Sequence, residues 1–443
     1  MKIPSELKKM ARLFPVPLFV VGGAVRDDLL GFGVHDYDLS SYLTAEEVVS
    51  LLKDTPYKVT PHSIKLGTLG INVGDFTMEY TAFRKDSYSL SGAHTPDKVE
   101  FNCSHLEDAK RRDFTVNALY YDILGEQIID LVGGMEDLKN KILRTPRDAE
   151  EVINEDALRI LRLVRFASSL GFEVEENTLR VAKEKACSLK EIAVERIRDE
   201  FEKILISDTV NGIKDAHIKG LEMMVDLGIM QYVVPEFLEG IGVEQNPKYH
   251  VYDVYHHAME TIRVIKPSLR RVAFFHDVAK PRSVDARGHM RSHAIKGAAM
   301  TREIMNRLLY SHREINWTVK LVEGHMFNVK CNEPIETIRE FVLRHYDVID
   351  DLIDLKQADY VAHGIDDGES PSAKIMRQVR DDMVANKVAF TIKELAIGGV
   401  DLIEMGIEPA ERSRVLGALL QRGAIQGRAL SREESIEYVS SIK

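Results

Sequence analysis

Cysteine is scarce in this chain: three residues in 443, Cys103, Cys187 and Cys331, lie far apart with no C-x-x-C pair. That spacing excludes a disulfide framework and a zinc ribbon, and it suits a reducing cytoplasm. Long apolar runs are missing as well. The longest uncharged stretch near the start, residues 13–25, is too short to span a bilayer and is broken by Pro15, Pro17, Gly22 and Gly23. It also lacks the basic run-in and small-residue cleavage site of a leader, so neither secretion nor membrane contact is expected. Positive charge is in deficit, with 59 Lys and Arg against 70 Asp and Glu and a formal net charge of −11. Because phosphate binding is driven by Lys and Arg, any nucleic-acid contact has to come from local clusters. Residues 139–165, 302–320 and 412–432 are the basic stretches, and each reads equally as a solvated helix surface.

What is present is apolar material, 44% of the chain, enough for two to four domains. Residues 18–21 have a buried-strand pattern that ends in Gly22-Gly23, residues 70–73 and 76–81 read as a hairpin around Gly74-Asp75, and residues 99–103 and 115–122 add strand material. From residue 148 onward the period becomes helical, with Leu158, Leu161, Val164 and Phe166 at helix spacing. The expected fold is α+β: a small mixed α/β head over residues 1–145, then an all-helical region divided into residues 146–240, 241–365 and a C-terminal tail, 366–443. Arg144-Thr145-Pro146 is the first junction, and the Gly-, Asp-, Ser- and Pro-containing stretch 364–372 reads as a linker.

Two ingredients of phosphoryl transfer stand close together in the head. Gly22-Gly23 after a strand allows backbone N–H groups to approach a triphosphate, and Arg26 adds charge-assisted bonds. Asp36 and Asp38, two apart in a following strand, project from the same face and could there hold a pair of Mg²⁺ ions. A D-x-D alone is as readily an exposed acidic turn. Glu79 is the candidate third carboxylate, with a solvent-facing strand residue as the plain alternative.

The segments Gly22-Gly23-Ala24-Val25-Arg26-Asp27, Asp36-x-Asp38, Glu79-Tyr80-Thr81-Ala82-Phe83-Arg84, Arg111-Arg112-Asp113-Phe114-Thr115-Val116-Asn117-Ala118, Arg144-Thr145-Pro146, Glu155-Asp156-Ala157-Leu158-Arg159-Ile160-Leu161-Arg162 and Glu195-Arg196-Ile197-Arg198-Asp199-Glu200 occur in this order. Together they resemble the bacterial tRNA nucleotidyltransferase and poly(A) polymerase family, the class II branch of the polymerase-beta-like nucleotidyltransferases. The resemblance implies a nucleotidyltransferase head in which Asp36, Asp38 and Glu79 are catalytic with Mg²⁺, and a neck that takes part in selecting the nucleotide. Gly22, Gly23, Arg26, Arg112, Asp113, Asn117, Asp156, Arg159 and Arg162 are then nucleotide-binding. Arg112 and Asp113 would meet sugar and phosphates, and Asp156 and Arg159 would read the base edge from one helix face. For that last pair an i,i+3 salt bridge is the plain alternative. One departure stands in residues 87–99, where the family has a mobile loop with an arginine near its bend and this chain has Ala93-His94. The choice between C-and-A addition and A-only addition stays open for that reason.

A second constellation follows: His257, His276-Asp277 with Lys280, His293, His325 and Asp359. Imidazoles and carboxylates gathered from several helices suit a divalent metal. Their order resembles the HD phosphohydrolase superfamily. That resemblance implies a metal on His257, His276, Asp277 and Asp359, a second on Asp277, His293 and His325, and a substrate phosphate at Lys280. The metal's identity is left open. In the tail, Arg412, Arg414, Arg422 and Arg428 are the candidate RNA contacts.

The leading expectation is thus a cytoplasmic enzyme that adds CMP and AMP from CTP and ATP to a tRNA 3′ end, with an HD phosphohydrolase activity beside it. A poly(A) polymerase or A-only enzyme is the first rival. The second is an HD hydrolase with a degenerate nucleotide-sensing head. Oligomeric state is not legible.

Overall fold

The computed structural model describes the chain except residues 35, 74–75, 88–97, 102, 286–289, 291, 330–331 and 443. The Ala93-His94 departure and Cys331 therefore lie outside the described residues. Two compact units divide the chain, Met1–Pro235 and Glu236–Lys443.

A seven-stranded sheet organises the first unit. Its strands are β1 (Phe19–Val21), β2 (Asp38–Ser40), β3 (Lys58–Ser63), β4 (Thr68–Val73), β5 (Phe76–Thr81), β8 (Leu119–Asp122) and β9 (Ile128–Asp130), while β6 (Arg84–Ser87) and β7 (Lys98–Phe101) form a separate ribbon. The order is β3-β4-β5-β2-β1-β8-β9, antiparallel except where β2 runs beside β5 in parallel. The apolar run Phe19-Val20-Val21 explains the central place of β1. Alternation sends Phe19 and Val21 to one core with Phe83 and Tyr120, and Val20 to another with Leu39, Leu69 and Tyr80, so both faces are covered. The expected hairpin is present as β4 and β5, paired from Thr68↔Thr81 to Val73↔Phe76.

Two expectations need correction. Asp36 does not share a strand with Asp38, because β1 ends at Val21, opposite Asp38, and the chain is helical from Gly23 onward. With no strand left to pair with, Asp36 and Tyr37 approach β2 as a loop. Nor do Asp156 and Arg159 lie on one helix. The chain breaks between the helices Ala149–Glu155 and Leu158–Leu170 at Asp156, whose φ of −153° and ψ of 101° are extended. Its Oδ1 accepts from the Leu158 N–H at 3.1 Å, the short-range bond by which an Asp starts a helix. The helix that follows buries Leu158, Leu161, Val164 and Phe166, as their spacing predicts.

In the second unit His257 and His293 lie within the helices Val254–Val264 and His293–Arg307, His276, His325 and His363 follow the ends of Arg270–Phe275, His312–Gly324 and Ile349–Ala362, and Asp359 lies within the last. The stretch read as a linker is short: Ser370 caps a helix that already begins at Pro371 and packs on Ile349–Ala362. The tail has its own small core of Ile397, Leu402, Ile407, Val415, Leu419 and Val439. Among the described residues no helix is long and apolar enough to cross a membrane.

Candidate functional site

Asp38 opens β2, and Glu79 of β5 is its direct partner in the parallel register. Both side chains are exposed, as is Asp36 two residues earlier. Although Asp38 meets solvent, the protein around it raises its carboxyl above the ordinary value, and the charges of Glu79 and Asp36 push the same way against Arg112. Carboxylates crowded until one resists ionisation form a donor set suited to hard divalent cations, which prefer oxygen ligands.

Asp38 also lines a cavity of about 480 Å³ whose wall carries seven arginines, Arg26, Arg111, Arg112, Arg159, Arg162, Arg165 and Arg196, against Asp38, Asp113 and Asp156. The chain's overall acidity is reversed here, and a polyphosphate is the complementary ligand. Gly22 and Gly23 form part of the wall. Gly22 has φ 70°, and a Cβ on it would stand 3.2 Å from Arg112 Nη1 and 3.5 Å from the Asn117 carbonyl, so glycine keeps the backbone close to the arginines.

Each arginine is held in place. Arg26, buried, donates to Asn117 Oδ1 at 2.6 Å and lies 5.0 Å over the Phe166 ring. Asn117 Nδ2 donates to Asp113 Oδ1 at 3.1 Å, and Asp113 Oδ2 accepts from Arg162 Nε at 2.8 Å and Nη2 at 2.5 Å. Both oxygens of buried Asp113 are thus engaged, so its first task is to hold Arg162 and Asn117. Arg112 Nε reaches Tyr120 Oη at 3.2 Å, and Asp108 holds both Arg111 (2.7 Å) and Arg112 (3.3 Å). Arg159 donates to the carbonyls of Val152 and Arg111 at 2.8 and 2.6 Å, and Asp156 Oδ2 accepts from Arg196 at 2.8 Å. Arg165 donates to Glu200 at 2.6 Å and stacks 4.0 Å over Phe166.

Arg111, Arg165, Arg196 and Phe166 also line the cavity, beyond the residues expected from the sequence. Arg165 and Phe166 were legible, since they follow Arg162 by one helical turn. Arg196 comes from the helix Val194–Leu205, and only packing brings it to Asp156.

Burial would raise the carboxyls of Asp108 and Asp113, but Arg111 and Arg112 hold the first, and Arg162 with Asn117 the second, down at about 2. A depressed folded-state value stabilises the fold above the unfolded value near 4, and that contribution is lost as pH falls toward 2. Each group contributes about 2 kcal/mol at neutral pH on this account. The melting temperature of Asp113→Asn is expected to lie below that of the natural chain at pH 7, with the gap narrowing between about pH 4 and pH 2. A gap constant across that range contradicts the assignment.

The second cluster is buried. His257 Nε2 lies 3.0 Å from Asp359 Oδ1 and 3.4 Å from His276 Nε2. Asp277 stands between two groups: Oδ2 is 3.1 Å from His276 Nε2 and 3.4 Å from His257 Nε2, while Oδ1 is 3.4 Å from His293 Nε2 and 3.6 Å from His325 Nε2. Within His257, His276 and Asp359, and within Asp277, His293 and His325, the ligand atoms lie within 4.8 Å of one another. The Nδ1 atoms of His257, His276, His293 and His325 each face a backbone carbonyl, those of Ala362, Ala273, Met290 and Val322, at 2.6–3.1 Å. That bond places the proton on Nδ1 and leaves the Nε2 lone pair for the centre. His293 Nε2 and His325 Nε2 are buried without a hydrogen-bond partner. Donor chemistry, tautomer and unpartnered acceptors all fit divalent cations. Lys280 Nζ lies 2.6 Å from Asp277 Oδ2 and faces a cavity of about 1320 Å³.

The tail arginines meet local partners. Arg412 donates to the Ile407 carbonyl at 3.0 Å, Arg414 pairs with Glu411 at 2.8 Å, Arg422 lies 4.5 Å over Tyr438, and Arg428 donates to Glu434 at 2.9 Å.

Residues 18–144 match the family described as "Poly A polymerase head domain", and residues 171–240 match "Probable RNA and SrmB- binding site of polymerase A". The chain is 45% identical over 186 residues to the CCA-adding enzyme of Lactobacillus helveticus, covering 42% of this chain and 45% of that one. It is 38% identical over 236 residues to the CCA-adding enzyme of Ligilactobacillus salivarius, covering 52% and 55%. The chain thus spans about half the length of the curated relatives it matches. Among solved structures, the Bacillus stearothermophilus CCA-adding enzyme in complex with CTP aligns over 100% of this chain and 99% of its own, with TM-score 0.70 and 24% identity. The Thermotoga maritima CCA-adding enzyme complexed with tRNA aligns over 100% and 97%, with TM-score 0.55 and 19% identity. At those identities the shared property is the fold, an α+β arrangement of sheet head and helical remainder. Residues 18–144 and 171–240 are thus similar to the head and RNA-binding segments of poly(A) polymerases, and the chain shares the fold of the CCA-adding enzymes with which it aligns.

Proposed function

We infer that the first unit adds CMP and AMP, from CTP and ATP, to the 3′ end of tRNA. The observation that carries this reading is the meeting of Asp36, Asp38 and Glu79 with a seven-arginine cavity through the shared residue Asp38. The arginines, fixed by Asp108, Asp113, Glu200 and Phe166, bind and orient the triphosphate without having to reorganise when charge develops. The carboxylates would hold magnesium, which supplies activation of the attacking 3′ hydroxyl and charge neutralisation at the leaving pyrophosphate. Asp156 and Arg159, both at the cavity wall, would supply acceptor and donor to a base edge, so that protein selects the nucleotide. Such chemistry belongs in the cytoplasm with tRNA. The naming of CCA-adding enzymes among the relatives supports C-and-A addition over its A-only and poly(A) rivals. The intact carboxylate set weighs against a degenerate sensing head.

The test is a tRNA lacking its 3′ terminus, incubated with the protein, Mg²⁺ and single nucleotides. CTP alone is expected to extend it by C residues, and ATP to add only after them. Incorporation of ATP without prior CTP overturns C-and-A addition in favour of an A-only enzyme.

The buried histidines favour a second activity in the other unit, hydrolysis of a phosphate ester. His257, His276, Asp277 and Asp359 would hold one divalent ion and Asp277, His293 and His325 another, the chemistry supplied being water activation at neutral pH. Lys280, facing the cavity beside Asp277, would take a phosphate oxygen. RNA contact by Arg412, Arg414, Arg422 and Arg428 belongs to the same proposal: Arg414, Arg422 and Arg428 are exposed, and phosphates would compete with Glu411 and Glu434 for two of them.

A further inference from the structure

Two more histidines stand beside the buried cluster with no place in the two-ion reading. His250 and His363 line the 1320 Å³ cavity, and their ring centroids are 4.3 Å apart. Each turns a ring nitrogen to within 4.8 Å of the other and of one on His257. His250 Nδ1 is buried and has no hydrogen-bond partner. His363 caps the helix Ile349–Ala362 one turn after Asp359, and its Nε2 lies 3.6 Å from Asp359 Oδ1.

The backbone brings these two rings together. The Val251 N–H donates to the His363 carbonyl at 3.0 Å. Gly364, with φ 75°, leaves open the space where a Cβ would meet the Tyr252 ring at 2.9 Å and Val251 Cβ at 3.3 Å. A structural histidine packed this closely normally satisfies its buried nitrogen within the protein, and His250 does not. His257 is already committed, with Nδ1 on the Ala362 carbonyl and Nε2 toward Asp359 and His276.

We propose that His250 and His363, with Asp359 as a shared carboxylate, hold a third divalent cation of the imidazole-preferring kind, beside the two that the histidine centre holds. Two neutral imidazoles and one carboxylate suit zinc, cobalt or nickel better than magnesium, whose preference is for oxygen and water. The ion sits on the cavity side of the cluster, where its remaining positions meet a ligand. The proposal rests on reading the cluster as a metal centre, and the test separates the two claims.

The full-length protein is stripped of metal, dialysed against Co²⁺ alone and analysed for ions per chain. His250→Gln plus His363→Gln is expected to carry one equivalent fewer than the natural chain while keeping the rest. Equal content in the two proteins overturns the third site. His276→Ala plus Asp277→Ala, carried alongside, tests the centre itself: natural metal content in that variant defeats the two-ion reading as well. A titration with Co²⁺ of the protein carrying Asp36→Ala plus Asp38→Ala, which removes the head's ions, leaves every histidine in place. Ligand-field absorption is expected to keep growing through a third equivalent, and saturation at the second overturns the proposal.

Discussion

Asp36→Ala plus Asp38→Ala is expected to reduce nucleotide addition to tRNA by about 10³-fold or more, with the fold intact. The carboxylates are exposed, one in a loop and one at the first position of β2, so their removal opens no cavity in either core of the sheet. It also relieves the crowding of Asp38 against Glu79 and Asp36 that raises the Asp38 carboxyl. A melting temperature at or slightly above that of the natural chain is the expected accompaniment. What is lost is the donor set for magnesium. Charge stabilisation by such ions is worth several kcal/mol of barrier, and each 1.36 kcal/mol is tenfold in rate. Single-turnover extension of a truncated tRNA at saturating nucleotide measures the chemical step, and circular dichroism checks the fold. A double variant that extends tRNA at the natural rate removes the basis for assigning the head.

The second large effect belongs to the other unit. His276→Ala plus Asp277→Ala is expected to strip the histidine centre of bound metal and to lower hydrolysis of a chromogenic phosphate ester by about 10²-fold or more, since water activation at neutral pH depends on the ions. Asp277 is the residue both groups share, 3.1 Å from His276 and 3.4 Å from His293, so its loss affects both ions. Both side chains are buried, and some loss of stability accompanies the change. Nucleotide addition is expected to persist, because Asp36, Asp38, Glu79 and the arginine cavity belong to the first unit. Elemental analysis and ester hydrolysis on one preparation decide the matter: metal content and activity both unchanged means the cluster is structural.

Much of the head was legible because its signals are local. A β-branched run ending in Gly22-Gly23 marks β1 and the turn after it, and the two apolar strands around Gly74-Asp75 read as the β4–β5 hairpin. Helical spacing from Leu158 to Phe166 identified the buried face of that helix, and by the same period it could have pointed to Arg165 and Phe166 at the cavity. Where local reasoning failed, competing pairings had prevailed. Asp36 had no strand to lie against, and the Asp156 carboxylate starts a helix instead of sitting within one.

By itself the sequence determined the residue types on which the chemistry depends: three carboxylates, an arginine-rich series through residues 111–162, and an ordered set of histidines and aspartates. Those are properties of side chains, and they survive any folding. Only the tertiary structure decided which of them meet. The parallel pairing of β2 with β5 sets Glu79 beside Asp38 across 41 positions of chain, helix packing delivers Arg196 to Asp156, and carbonyls at the ends of four segments fix the imidazole tautomers. Such contacts join residues far apart in the chain, where no short-range period carries information about them. His250 and His363 make the same point: each is unremarked in the sequence, and they become neighbours only because Val251 and Gly364 let two backbones touch.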